Sequence, residues 1–186
     1  MRAQRGSMPA FAELVDRFEG RLYNFLLRRV PCATDAEDLT QEAFTRAWLR
    51  IGTYRPRWRF STWLFTIGSR LAVSHSRKRS SQRSERLRDD RSEPAPDLAA
   101  RLDHAASRSR IWGVVGQAVG IEQQSALWLR YVEGMAVKDI AAVLGRTQVS
   151  VRVMLFRARA VLAQKLATEP AVIQELKPEG IAEVGT

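Results

Sequence analysis

Two acid-free stretches hold the residues with the most specific chemistry. Between Ala43 and Ser84 there is no carboxylate, while Arg55, Arg57, Arg59, Arg70, Arg77, Lys78 and Arg79 are interleaved with Tyr54, Trp58, Phe60, Trp63 and Phe65. Cationic side chains hold phosphates and aromatic rings stack on unpaired bases, so this composition suits single-stranded nucleic acid. Between Ile140 and Thr168 there is again no acid, and Arg146, Arg152, Arg157, Arg159 and Lys165 are present. Against this background Asp35, Asp38, Gln41, Glu42 and Thr45 make one acidic face without a base. That face is either solvated, with acids placed to suit a helix N-terminus, or a docking surface for a basic partner.

Enzyme chemistry lacks its parts. The histidines, His75 and His104, stand far apart, and the single cysteine, Cys32, excludes an internal disulfide. No nucleophile–base pair, phosphate loop or metal cluster is visible, so no catalytic residue, metal or cofactor is expected. Cys32 reads as a thiol buried between two helices in preference to a redox handle. The net charge of +10 and pI near 10.9 point to a polyanionic partner. With no signal segment and no apolar run of roughly 20 residues, a cytoplasmic protein without membrane insertion is expected.

The elements that must position these residues are helices, giving an all-α chain of two small domains joined by a flexible linker. The first spans 9–79. Phe11, Leu14, Val15, Phe18, Leu22, Phe25 and Leu26 recur at helical spacing until Pro31, with Arg28 and Arg29 suiting the helix C-terminus. Thr34 and Glu37 stand at capping-box spacing before a second helix that gathers Ala36, Leu39, Ala43, Phe44, Ala47 and Trp48 on one side and ends near Gly52. A basic-aromatic loop follows. The third helix turns Phe60, Trp63, Leu64, Ile67 and Leu71 inward and Thr62, Phe65, Thr66, Ser69, Arg70 and Val73 outward. Residues 80–107 read as the linker and 168–186 as a mobile acidic tail able to fold back on a basic face.

The second domain, 108–167, has a distinct grammar. Leu127, Trp128 and Tyr131 share a helix face that ends at Gly134. A short helix from Ala136 to Leu144, with Ile140, Ala141 and Leu144 inward, a glycine turn at Gly145 and a long helix from Thr147 to Leu166 have helix-turn-helix spacing, within an expected four-helix domain. Val151, Leu155, Ala158, Leu162 and Leu166 form the packing seam. Gln148, Arg152 and Val153 then face base edges with Phe156 beside them, and Arg146, Arg157 and Arg159 suit phosphates. Arg152 is the strongest reader, since its fork matches guanine acceptors. A hairpin that only packs is the alternative, against which the acid-free composition weighs.

Asp35-Ala36-Glu37-Asp38-Leu39, followed by Gln41-Glu42, Phe44 and Ala47-Trp48, resembles the core-binding helix of bacterial sigma factors of the extracytoplasmic-function group. The resemblance implies that Asp35, Asp38, Gln41 and Glu42 dock on the clamp helices of RNA polymerase. Tyr54 to Arg79 resembles the region that opens and reads the minus-ten element, most clearly at Phe60-Ser61-Thr62-Trp63-Leu64 and Ile67. It implies DNA contacts from Arg57, Trp58, Arg59, Phe65, Ser69, Arg70, Arg77 and Lys78. Gln124 to Leu162 resembles the reader of the minus-thirty-five element, through Leu129-Arg130, Glu133-Gly134, Asp139-Ile140-Ala141, Leu144-Gly145, Val151, Leu155 and Arg157-Ala158-Arg159. The implied contacts are Arg146, Thr147, Gln148, Ser150, Arg152, Val153, Phe156, Arg157 and Arg159.

Four positions depart from the family pattern. Arg70 stands where many members carry Asn, Ser74 where they carry Asp, Val149 replaces a common glycine and Met154 a common arginine. Losing that arginine implies weaker and less salt-dependent binding. Implied partners are the polymerase core, through clamp and flap, promoter DNA and an anti-sigma factor. A helix-turn-helix repressor or activator working without polymerase accounts for 110–165 but not for the acidic helix. A nucleoid-type binder accounts for the charge but not for the helix-turn-helix.

Overall fold

A computed structural model describes residues 2–86, 112–113 and 115–168. Among them the regular elements are all helical: α1 (Met8–Leu26), α2 (Ala33–Leu49), α3 (Phe60–Arg86), α4 (Ile121–Tyr131), α5 (Val137–Leu144) and α6 (Gln148–Thr168), with 3₁₀ turns at Ala3–Arg5 and Ile51–Thr53.

Helix α1 starts where Ser7 Oγ accepts the Ala10 N–H at 3.4 Å, with Pro9 in the first turn. Its buried Phe11, Phe18, Leu22, Phe25 and Leu26 are the residues that the spacing selects. Helix α2 begins earlier than the Thr34–Glu37 box predicts. Cys32 holds the extended cap backbone (φ −137°, ψ 161°), and its Sγ accepts the Asp35 N–H at 3.4 Å. The half-buried thiol is thus an N-cap acceptor, not core filling, and Thr34 lies inside the first turn. The inward side of α2 is as expected, with one addition: Thr40 is buried because its hydroxyl donates to the Ala36 carbonyl at 2.6 Å. Trp48 lies half-buried, 5.0 Å from the Phe11 ring.

The connection to α3 is anchored from within. Tyr54 is buried, donates its hydroxyl to the Trp58 carbonyl at 2.6 Å and meets Phe60 and Trp63 with ring centroids 5.8 and 5.3 Å away. One side of α3 then lies on α1 so closely that a Cβ on Gly68 would stand 2.9 Å from Leu22 Cδ1, and Leu22 is itself fully buried. The helix continues to Arg86, past the residue 80 at which a linker is expected, because 80–86 contain no glycine or proline to stop it. The rest of that linker, and the tail from 169, lie outside the described residues.

In the second unit Leu127, Trp128 and Leu129 of α4, Ile140 and Val143 of α5, and Val151, Leu155 and Ala158 of α6 make the core, with Leu162 half-buried at its edge. Leu166 lies outside the described side chains. Tyr131 departs from its expected inward position and is 58% exposed. Here α4 ends and the chain turns through Gly134 (φ +64°), so Met135 fills the inner place, its N–H on the Leu129 carbonyl at 2.9 Å. Gly145 (φ +63°) takes the left-handed conformation that joins α5 to α6.

Gly68→Val is expected to destabilise the chain by about 1–3 kcal/mol, the usual cost of overpacking a filled core. Urea unfolding checks this; an unchanged midpoint would mean that Leu22 can move aside.

Candidate polymerase and promoter interfaces

On α2, Asp38, Gln41 and Glu42 face solvent over the buried Leu39 and Ala43. Asp35 is different. Its carboxylate is half-buried and meets Arg79 Nη1 at 3.3 Å and His75 Nε2 at 3.5 Å, tying the start of α2 to the basic end of α3. Glu42 pairs with Arg46 one turn on at 2.5 Å. An exposed pair of that kind contributes only a few tenths of a kcal/mol, so a partner's cation can exchange for Arg46 at little cost.

The basic-aromatic segment divides into an open part and a covered part. Arg57 and Arg59 are exposed, and Trp58 is half-buried with the Arg57 guanidinium 6.0 Å from its ring. Arg70, Arg77 and Lys78 are exposed along α3. Phe65 corrects the sequence expectation of an outward aromatic: it is fully buried, 5.2 Å from the Phe25 ring. Thr62 and Ser69 are buried as well, at 2% and 3% exposure.

For Ser69 the neighbour lies across the domain boundary. At 100° per residue, the side of α3 opposite Leu64 and Gly68 carries Ser69, Val73 and Arg77, and α5 lies against it. The cleft between them, about 380 Å³, is lined by Ser69, Arg70, Val73, Ser74 and Arg77 on one wall and Ala142, Val143, Leu144 and Gly145 on the other. A one-helix periodicity cannot reveal a partner supplied by another part of the chain.

Three arginines of α1 and the turn after it clasp α4 and its flanks, a role that the sequence reading missed. Arg28 sits 3.7 Å from the Trp128 ring centroid and 5.5 Å from that of Trp112, and the two indoles meet at 4.8 Å. It also donates to the Asn24 carbonyl, which is the helix-end contact that its position predicts. Burial lowers its pKa to about 10, which leaves it charged at neutral pH. Arg29 Nη1 donates to Ser125 Oγ at 2.7 Å. Burial lowers the pKa of Arg29 and the Glu122 charge opposes that shift. Arg21 binds Glu133 Oε2 through Nε and Nη2 at 3.0 and 2.5 Å. Burial pushes the Glu133 carboxyl up, and Arg21 pulls it partly back.

The helix-turn-helix keeps its reading side open. Thr147 Oγ1 accepts the Ser150 N–H at 3.1 Å, so this predicted DNA contact also caps α6. Gln148, Arg152, Val153, Phe156 and Arg157 are exposed, and Ser150 is half-buried. Arg159, also exposed, donates Nε to the Leu155 carbonyl at 3.2 Å. Arg146 is paired with Glu122 at 2.5 Å, which raises its pKa, so a phosphate must displace a carboxylate there.

Two family models match the chain, sigma-70 region 2 over residues 14–82 and sigma-70 region 4 over residues 121–162. The chain is 32% identical to the extracytoplasmic-function RNA polymerase sigma factor BldN of Streptomyces coelicolor over 173 residues, 89% of this chain but 63% of that relative. It is 32% identical to the RNA polymerase sigma-H factor of Pseudomonas aeruginosa over 174 residues, 89% of this chain and 90% of the relative. CnrH, solved with the cytosolic domain of CnrY, superposes with a TM-score of 0.62 at 25% identity, over 90% of this chain and 94% of that one. RpoE of Bartonella quintana, solved with the anti-sigma factor NepR, shares the fold with a TM-score of 0.67 at 22% identity, over 85% and 97%. With both sigma regions matched in order and a relative of nearly its own length, the chain belongs to the extracytoplasmic-function group of the sigma-70 family.

Proposed function

We propose that this chain is a dissociable, non-enzymatic subunit of bacterial RNA polymerase that directs promoter recognition, DNA melting and transcription initiation. The observation that carries this is the exposed acidic face of α2, set in a chain of net charge +10 whose α3 and α6 surfaces are basic. A freestanding repressor has no use for such a face, and the matched relatives are named as sigma factors. The division is 9–86 for polymerase and minus-ten binding, 87–107 as linker, 108–168 for the minus-thirty-five element and 169–186 as tail.

Asp38, Gln41 and Glu42 make the contact with the polymerase clamp, while Asp35 acts from beneath by fixing α2 to α3. The second unit approaches the flap. Arg57, Trp58 and Arg59 are available to melted DNA as the chain stands. Ser69, Arg70 and Arg77 line the cleft under α5, so full minus-ten contact requires the two units to separate. Phe65 supports that surface from the core and does not stack on a base. On α6, Arg152 and Gln148 read bases while Arg157, Arg159 and Arg146 hold phosphates. An anti-sigma factor is a fitting third partner, since CnrH and RpoE were each solved with a partner bound. A chain with this function acts on the chromosome, in the bacterial cytoplasm. Among the described residues no helix is long and apolar enough to cross a membrane.

Asp38→Arg is expected to weaken binding to purified core polymerase about tenfold with an unchanged circular dichroism spectrum, because a like-charge contact replaces an attractive one. Unchanged affinity would contradict the clamp assignment. Arg152→Ala is expected to cost about 1–3 kcal/mol on the preferred promoter and little on unrelated duplexes; equal loss on all sequences would make Arg152 a phosphate contact. Arg28→Ala removes a desolvated cation–π contact of about 2 kcal/mol, so the radius of gyration from solution scattering should rise. A radius equal to that of the parent chain would show that the clasp does not depend on Arg28.

A further inference from the structure

The outermost strip of α6 is apolar in an otherwise polar setting. Val151, Leu155 and Ala158 mark its buried side. At 100° per residue the opposite side carries Val149, Val153 and Phe156, and these are 65%, 41% and 67% exposed. Arg152 borders the strip on one edge and Arg157 on the other. A single exposed apolar side chain needs no explanation, but three aligned at i, i+4 and i+7 form a patch of the kind that marks an interaction surface.

The flanking charges select the occupant. An apolar strip with a cation on each edge fits a groove whose floor has apolar groups and whose walls are anionic. The major groove of duplex DNA has phosphates on both walls, and the apolar group on its floor is the thymine 5-methyl. From Val149 to Phe156 the helix rises about 10 Å, close to the length of three base pairs. We propose that Val149, Val153 and Phe156 read thymine methyl groups in the minus-thirty-five element, alongside the hydrogen bonds made by Arg152. This rests on the assignment of α6 as the promoter-reading helix.

The test uses the full chain assembled with bacterial core polymerase and a promoter library randomised upstream. After selection, each thymine of the enriched upstream element is replaced singly by deoxyuridine, which removes the methyl and keeps every hydrogen-bonding group. Affinity should fall about fourfold at each contacted thymine, the loss of one buried methyl. The triple variant V149G/V153S/F156S should bind thymine and uracil duplexes nearly alike while keeping its preference for guanine. Equal affinity for thymine and uracil at every position overturns the inference but leaves the helix assignment standing. A thymine preference that survives in the triple variant also overturns it, and if that variant instead binds core polymerase more weakly, the strip is a protein contact. A library with no enriched upstream element overturns the helix assignment and this inference with it.

Discussion

The seating of α5 on α3 is the contact on which the arrangement depends. One side of α3 already packs on α1 through Gly68 and Leu22, so α3 carries a neighbour on two opposite sides. Small side chains along the second contact, Ser69 and Ser74 facing Ala142 and Gly145, let the helices approach while a cleft remains between them. Ser69 therefore reads as a polar surface residue in the sequence and is a buried one in the fold. The contact joins the region 2 unit to the region 4 unit, and it covers part of the first while leaving α6 of the second open.

The clasp beside that contact carries a desolvation cost. A purely apolar seam would favour permanent association, but this one spends three arginines on it. Arg28 and Arg29 lose hydration, and the Nε atoms of both are buried without a hydrogen-bond partner among the described residues. Desolvation of that kind offsets much of what cation–π and hydrogen-bond contacts contribute. Charge is divided on α2, where Asp35 is engaged with Arg79 and His75 and Asp38 stays available.

Much of this was legible in the sequence because it follows from spacing within one helix. The buried sides of α1 and α2, the Gly145 turn, the α6 seam from Val151 to Ala158 and the exposure of Asp38, Gln41, Glu42, Arg152 and Arg157 all come from a period of 3.6 residues. What was not legible depends on distant partners or on competing local chemistry. Phe65 lies on the polar side of α3, and only the position of Phe25 reveals it as core. Arg28 and Arg29 satisfy a helix-end rule, which hides their second role on α4. Cys32 won the cap from Thr34 because a thiol sulfur at that turn can accept the Asp35 N–H. The extension of α3 to Arg86 shows that a change in composition without glycine or proline does not end a helix.

Run-off transcription with purified bacterial core polymerase on genomic fragments, with and without this chain, tests the central claim most directly. The account predicts discrete new start sites that require both proteins and share two upstream elements. Specific duplex binding by the chain alone, with no new transcript in the presence of core polymerase, would contradict it.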